Sequence, residues 1–277
     1  MTGVPDFAPW QARIHEQVRG ALDGGRLGHA LLFCGPARLG KRGVADALAA
    51  HVLGAGREAR VAQLLAAGTH PDFHQVSFVP TRDGTKLRTE IVIEQIRELS
   101  SKLSLTAQYG SAQVAIVDPA DAINVAACNA LLKTLEEPQP GRHLWLVASN
   151  PARLPATIRS RCQRIEFRLP PRDEALAWLV ARGHRERDAV EALDAARGHP
   201  GLAAEWLAGA GMALRREVAK DLAGLAKGEL PVVATAQRWA GGDDAAERIA
   251  HAADLALARA SGLTDVAGIG KLAAWFD

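Results

Sequence analysis

Cysteine is scarce: 3 residues in 277, at Cys34, Cys128 and Cys162. They are too few and too scattered for a disulfide framework or a four-cysteine zinc site. A reducing, cytosolic compartment is therefore the expected setting. Long hydrophobic runs are missing as well. None approaches the roughly 20 residues that span a bilayer. The opening MTGVPDFAPW has neither the basic region nor the apolar run of a signal peptide, and no membrane association is expected. Charge of one sign is not in excess, since Lys+Arg is 33 and Asp+Glu is 31, a net +2. That balance gives no argument for a free-standing nucleic-acid binder, though a local basic face stays open. There is no internal repeat and no low-complexity tract beyond general alanine richness. What remains is an ordinary globular composition, 48% hydrophobic and 23% charged. It excludes a disordered, coiled-coil or collagen-like chain, and the length suggests about two domains.

The first 170 residues alternate helix and strand signals, the mark of an α/β sheet with crossover helices. Trp10, Ile14, Val18 and Leu22 predict a helix that stops at Gly24-Gly25. Strands are predicted over residues 29–34, 73–79, 114–117, 144–148 and 164–167. Helices are predicted over 42–53, 89–103 and 121–137, the last ended by Pro138. After Pro170-Pro171 the strand signals cease. Three short helices are predicted over 172–182, 187–197 and 201–207, followed by an Ala/Leu-rich helical remainder. The last helix is expected to be cut short at Trp275-Phe276-Asp277. The expected division is 1–169, 170–208 and 209–277.

Gly35, four residues, Gly40 and Lys41 lie between a predicted strand and a predicted helix, the context of a phosphate-binding P-loop. Glycines let backbone amides face phosphate oxygens, and the helix N-terminus favours an anion. The full motif continues with Ser or Thr, whose hydroxyl holds Mg²⁺. Here that position is Arg42, which has no acceptor atom. Val114-Ala115-Ile116-Val117-Asp118 supplies the apolar strand and terminal acid that a metal-assisted NTPase needs. An active AAA+ enzyme would follow the acid with a glutamate that activates water, but this chain has Pro119. The series Asp118-Pro119-Ala120-Asp121 thus has the shape of a D-E-A-D box without its base. Two losses fall on one reaction, so ATP binding is expected to be weak or absent and hydrolysis absent.

Asn129-Ala130-Leu131-Leu132-Lys133-Thr134-Leu135-Glu136-Glu137-Pro138 resembles the signature helix of bacterial clamp-loader subunits, an AAA+ family. Ser160-Arg161-Cys162 resembles their SRC motif, and Gly68-Thr69-His70-Pro71-Asp72 a further family segment. The likeness covers about residues 8–208 and extends more weakly to the end. It implies an AAA+-type P-loop parallel sheet with flanking helices, then a small helical lid and an all-helical collar domain. It implies gamma/tau and delta partner subunits in a hetero-pentamer. It implies access to the sliding clamp and primer-template DNA through that complex. It makes Arg161, flanked by Ser160 and Cys162, an arginine finger acting on a neighbouring subunit. Gly35, Gly40, Lys41 and Asp118 would be the remains of a nucleotide site.

The chain also departs from the family pattern. Gly56, Ala59 and Ala62 stand where relatives carry three cysteines of a zinc module, so no metal is expected and the segment must hold itself by helix packing. Gly201, in Gly198-His199-Pro200-Gly201, stands where active subunits have a nucleotide-sensing arginine. The collar would be incomplete. Ser149-Asn150 is either a phosphate sensor or a strand-to-turn pair. His70 and His74 share a spacing of four but lack a partner ligand, and the three cysteines read as core thiols. The reading is a non-hydrolysing accessory subunit of a DNA-replicating complex with DNA-directed DNA polymerase activity. The alternative is an active AAA+ ATPase, the motor subunit of the same machine. A small-molecule kinase finds no arginine cluster beside the loop.

Overall fold

The computed structural model describes residues 6–81, 84–137 and 139–261. The first helices and strands are α1 (Pro9–Asp23), β1 (Ala30–Cys34), α2 (Lys41–Val52), α3 (Ala59–Ala66), β2 (Phe73–Val76) and α4 (Ile93–Leu103). Then come β3 (Gln113–Val117), α5 (Val125–Glu136), β4 (Arg142–Ala148), α6 (Ala156–Arg159) and β5 (Gln163–Glu166). Helices complete the described chain: α7 (Arg172–Ala181), α8 (Glu186–Ala195), α9 (Pro200–Ala208), α10 (Gly211–Ala226), α11 (Val232–Ala240) and α12 (Ala245–Ser261). Among the described residues, no helix is long and apolar enough to cross a membrane.

The five strands form one parallel sheet in the order β2-β3-β4-β1-β5. Strands β1 and β3 are buried along their whole length. A strand covered on both faces needs a continuous apolar run, which Ala-Leu-Leu-Phe-Cys provides. Successive residues then serve opposite faces. Leu32, Ala115 and Leu146 pack with Ile96 and Leu99 of α4 and Leu131 and Leu135 of α5. Leu31, Phe33, Ile116 and Trp145 pack with Val18 of α1 and Val44 and Leu48 of α2.

Several boundaries differ from the sequence reading for local reasons. The helix expected from residue 121 is broken. A 3-10 turn (Ala120–Ala122) comes first, and Asn124 then caps α5, its side-chain oxygen accepting the Ala127 N–H at 3.0 Å. Helix α4 starts at Ile93 and not near 89, because Ile91 is drawn into a bridge with Ile123. Strand β2 ends at Val76, short of 79. Pro138 lies outside the described residues, as does the expected shortened last helix at 275–277. Residues 59–66 form α3, with Val61 buried in the sheet-side core.

The chain divides into two compact units. One runs to Trp178 and takes in Gly198–Gly201; the other holds Leu179–Arg197 and the chain from Leu202 onward. The first carries the sheet. Among the described residues the second is helical.

Candidate functional site

Strand β1 lies between β4 and β5, and the chain leaves it for β2 at the far edge while β4 feeds β5. Such a reversal opens a crevice at the carboxyl ends of the strands. Gly35, Asp118 and Ser149 follow directly on β1, β3 and β4 there. Gly35 has φ 130° and Gly40, the residue before α2, has φ 81°. A Cβ at Gly35 would strike the carbonyl of Phe167, whose N–H donates to the Cys34 carbonyl at 2.7 Å. Only glycine fits a loop squeezed this closely against the chain leaving β5.

Lys41 is 5% exposed. Its Nζ donates to the carbonyls of Gly35 (2.8 Å) and Pro36 (2.7 Å) and to Ser149 Oγ (3.4 Å). Burial pushes its pKa down, against the pull of Asp118 and Asp121. Arg42 donates from Nε to both carboxylate oxygens of Asp46, at 2.8 and 3.0 Å, and from Nη1 to Asp118 at 3.4 Å. Burial raises the Asp118 carboxyl while Arg42 opposes it. The residues present do not fit a P-loop magnesium. A fixed guanidinium pairs with the acid such an ion would use, and it brings no acceptor of its own.

The Gly198–Gly201 segment adds to this arrangement. His199 Nε2 lies 2.8 Å from the Ala37 carbonyl, so this nitrogen carries the proton and donates. Burial holds the ring below its ordinary pKa. A Cβ at Gly201 would run into the Arg38 backbone. Asn150 takes the strand-to-turn part of the two readings of Ser149-Asn150. Ser149 reaches Lys41, whereas the Asn150 side chain accepts the Ala152 N–H at 3.2 Å and its backbone N–H donates to Asp121 at 2.9 Å.

The second cluster follows β4. Helix α6 ends at Arg159, and Ser160 donates from Oγ to the Thr157 carbonyl at 3.1 Å. Arg161 donates from Nη1 to the same carbonyl at 3.0 Å, and its Nη2 lies 2.6 Å from Glu136 Oε1. Its side chain stays 38% exposed. Neither partner belongs to the phosphate loop. Cys162 is buried and its thiol is pushed up to about 11, so it is a packed thiol and not a nucleophile. Cys34 and Cys128 are buried too.

Sequence reasoning missed what the His-Pro-Asp segment does. Asp72 is fully buried and accepts the backbone N–H groups of Gln108 (2.8 Å) and Tyr109 (2.6 Å), while its own N–H donates to His70 Nδ1 at 3.1 Å. It clasps the loop that enters β3. An acid next to a proline, ahead of a predicted strand, is the only signal of this that the sequence holds. Gly56, Ala59 and Ala62 offer no ligating atom, so the residues present do not fit a zinc ion. Among the described residues no group of three or more His, Cys, Asp or Glu is placed to hold a metal.

Residues 10–171 match the family described as DNA polymerase III, delta subunit. The DNA polymerase III subunit delta' of Pseudomonas aeruginosa is 37% identical over 245 residues, 85% of this chain and 72% of that one. The Haemophilus influenzae subunit delta' is 32% identical over 206 residues, covering 72% and 61%. The Escherichia coli K12 subunit delta' is 33% identical over 223 residues, covering 78% and 65%. The chain thus spans 61 to 72% of the length of these relatives.

Proposed function

The chain belongs to the DNA polymerase III delta-prime subunit family, and from that premise we propose that it is a non-hydrolysing subunit of the bacterial clamp loader. Its work is to support ATP-dependent loading of the sliding clamp on primed DNA, with gamma/tau and delta subunits as its partners in a hetero-pentamer. In this reading residues 1–169 form the AAA+ domain, 170–208 the lid and 209–277 the collar. The subunit catalyses nothing itself and is accessory to a complex with DNA-directed DNA polymerase activity.

The observation that carries the non-hydrolysing part is the Arg42 guanidinium lying on Asp118. It neutralises the acid at the strand end, and Pro119 offers no base to a water molecule. The crowding at Gly201 supports the same reading, since no side chain can stand there to sense a nucleotide. Arg161 plays a different part. Exposed on a loop, it lends a planar cation to a phosphate on a neighbouring subunit, an effect worth roughly 10³ to 10⁵ in rate at the site served. Lysine would not replace it, because a point charge lacks the fork.

The purified chain is expected to hydrolyse ATP no faster than background. Steady turnover that persists through further purification and disappears in Lys41→Ala would overturn this reading in favour of an active ATPase.

A further inference from the structure

We propose that Glu136 is a positioning residue for Arg161, the two side chains acting as one unit that sets where the arginine meets a phosphate across a subunit boundary. The inference rests on the reading of Arg161 as a trans-acting arginine. Arg161 follows a helix of four residues, α6 (Ala156–Arg159), which holds its backbone but not a side chain with four torsions. Unpaired, such an arginine spreads over many rotamers. Here the guanidinium is held at both terminal nitrogens, Nη1 on the Thr157 carbonyl at 3.0 Å and Nη2 on Glu136 at 2.6 Å. A guanidinium has five N–H groups, and this one remains 38% exposed. Two N–H groups are engaged, one on each terminal nitrogen, and the remaining three are left for a phosphate.

Glu136 stands on an anchored backbone. It is the last residue of α5, directly after Leu135, and α5 buries Ala127, Cys128, Leu131 and Leu135 in the sheet core. The core therefore fixes the backbone from which Glu136 reaches, and the half-exposed carboxylate and the guanidinium restrain each other through one short ion pair.

A second observation points the same way. Carboxylates are disfavoured at a helix C-terminus, where the unpaired carbonyls already carry partial negative charge. Glu136 and Glu137 both stand there, at the last helical position and the cap. Helix stability favours an acid at neither position, and at 136 the carboxylate is paired with Arg161. The pair also links the signature helix to the SRC loop, two motifs otherwise separate in the chain.

The test uses the complex reconstituted from this chain and its partner subunits. The DNA-stimulated ATPase is measured as kcat and KM for wild type, Arg161→Ala, Glu136→Ala, Glu136→Gln and the double variant Arg161→Ala/Glu136→Ala. The rate lost in Arg161→Ala defines the arginine-dependent part. Glu136→Ala is expected to reduce that part of kcat roughly two- to fivefold, the range exposed ion pairs span, with KM unchanged. Glu136→Gln still accepts an N–H and should fall between it and wild type. The double variant should be no slower than Arg161→Ala alone, because Glu136 acts only through the arginine. A wild-type rate in Glu136→Ala and Glu136→Gln, with Arg161→Ala impaired, overturns the proposal. So does a double variant clearly slower than Arg161→Ala, which is the mark of a merely structural role. A wild-type rate in Arg161→Ala itself overturns the underlying reading, and the role of Glu136 with it.

Discussion

Six histidines, His15, His70, His74, His143, His199 and His251, are held below the ordinary histidine pKa, in each case first of all by burial. A lowered folded-state value means that the unfolded chain binds protons more readily. Their contribution to stability is complete above the unfolded value of about 6.5 and is lost as the pH falls below it. Urea denaturation followed between pH 8 and pH 5 should therefore show a midpoint that is level at the upper end and declines through the lower half. A midpoint that rises on acidification would contradict this. His199 adds a local consequence, because a second proton on its ring would bring positive charge beside Arg38 and Lys41. Gly201 is equally constrained, since the Arg38 backbone approaches closer than any side chain allows.

At the scale of elements, helix α11 (Val232–Ala240) is held less by apolar burial than by polar cross-links. Val232 and Val233 at its start are exposed, and Thr235 is its one buried residue. Arg238 and the indole N–H of Trp239 both donate to Asp221 Oδ2 of α10, each at 2.8 Å, and Arg238 also reaches Glu217 at 3.3 Å. Burial would raise the Asp221 carboxyl, but Trp239 and Arg238 together hold it below the ordinary value. Arg248 of α12, its side chain 13% exposed, joins Glu217 at 2.9 Å and Asp244 at 3.0 Å, which ties α12 into the same network. Asp221→Ala takes the acceptor from the Trp239 indole N–H and one of two acid partners from Arg238. It should cost about 1–3 kcal/mol and speed amide hydrogen exchange across α11, with the parallel sheet unaffected. Unchanged exchange in α11 would show that apolar contacts suffice to hold it.

For the whole molecule, the 54–67 segment, where the family resemblance leads one to expect a metal module, is expected to stand without an ion. Val61 of α3 enters the core beside α2, and Asp72 clasps the following loop through backbone N–H groups. Elemental analysis of the tag-free protein is expected to find no stoichiometric zinc, and chelator treatment should leave the denaturation midpoint in place. A midpoint lowered by chelator would mean that ligands are assembled from elsewhere in the chain. The carboxyl-end crevice is similarly self-contained. Lys41, Arg42, Ser149 and His199 all find partners within the protein.

The strands and most helices were legible because their signals are local. A strand buried on both faces must be apolar throughout, as Ala30–Cys34 is, and an amphipathic helix must repeat its apolar residues each turn. The glycines of the phosphate loop and the missing hydroxyl at Arg42 are likewise written in consecutive residues. The start of α5 was not read correctly: the helical pattern runs back to 121, whereas Asn124 caps the helix at Val125. Other features depend on which strands become neighbours, and periodicity within one strand does not say what lies beside it. The order β2-β3-β4-β1-β5 brings Ser149 to Lys41 and Asp118 to Arg42. Tertiary packing alone sets Arg161 against Glu136, Asp72 under the loop before β3, and Gly201 on Arg38. The sequence by itself determined the elements and the chemistry missing from the loop. Only the tertiary structure decided what stands in place of that chemistry, because an ion pair or a backbone contact between distant residues exists only once the sheet has set their separation.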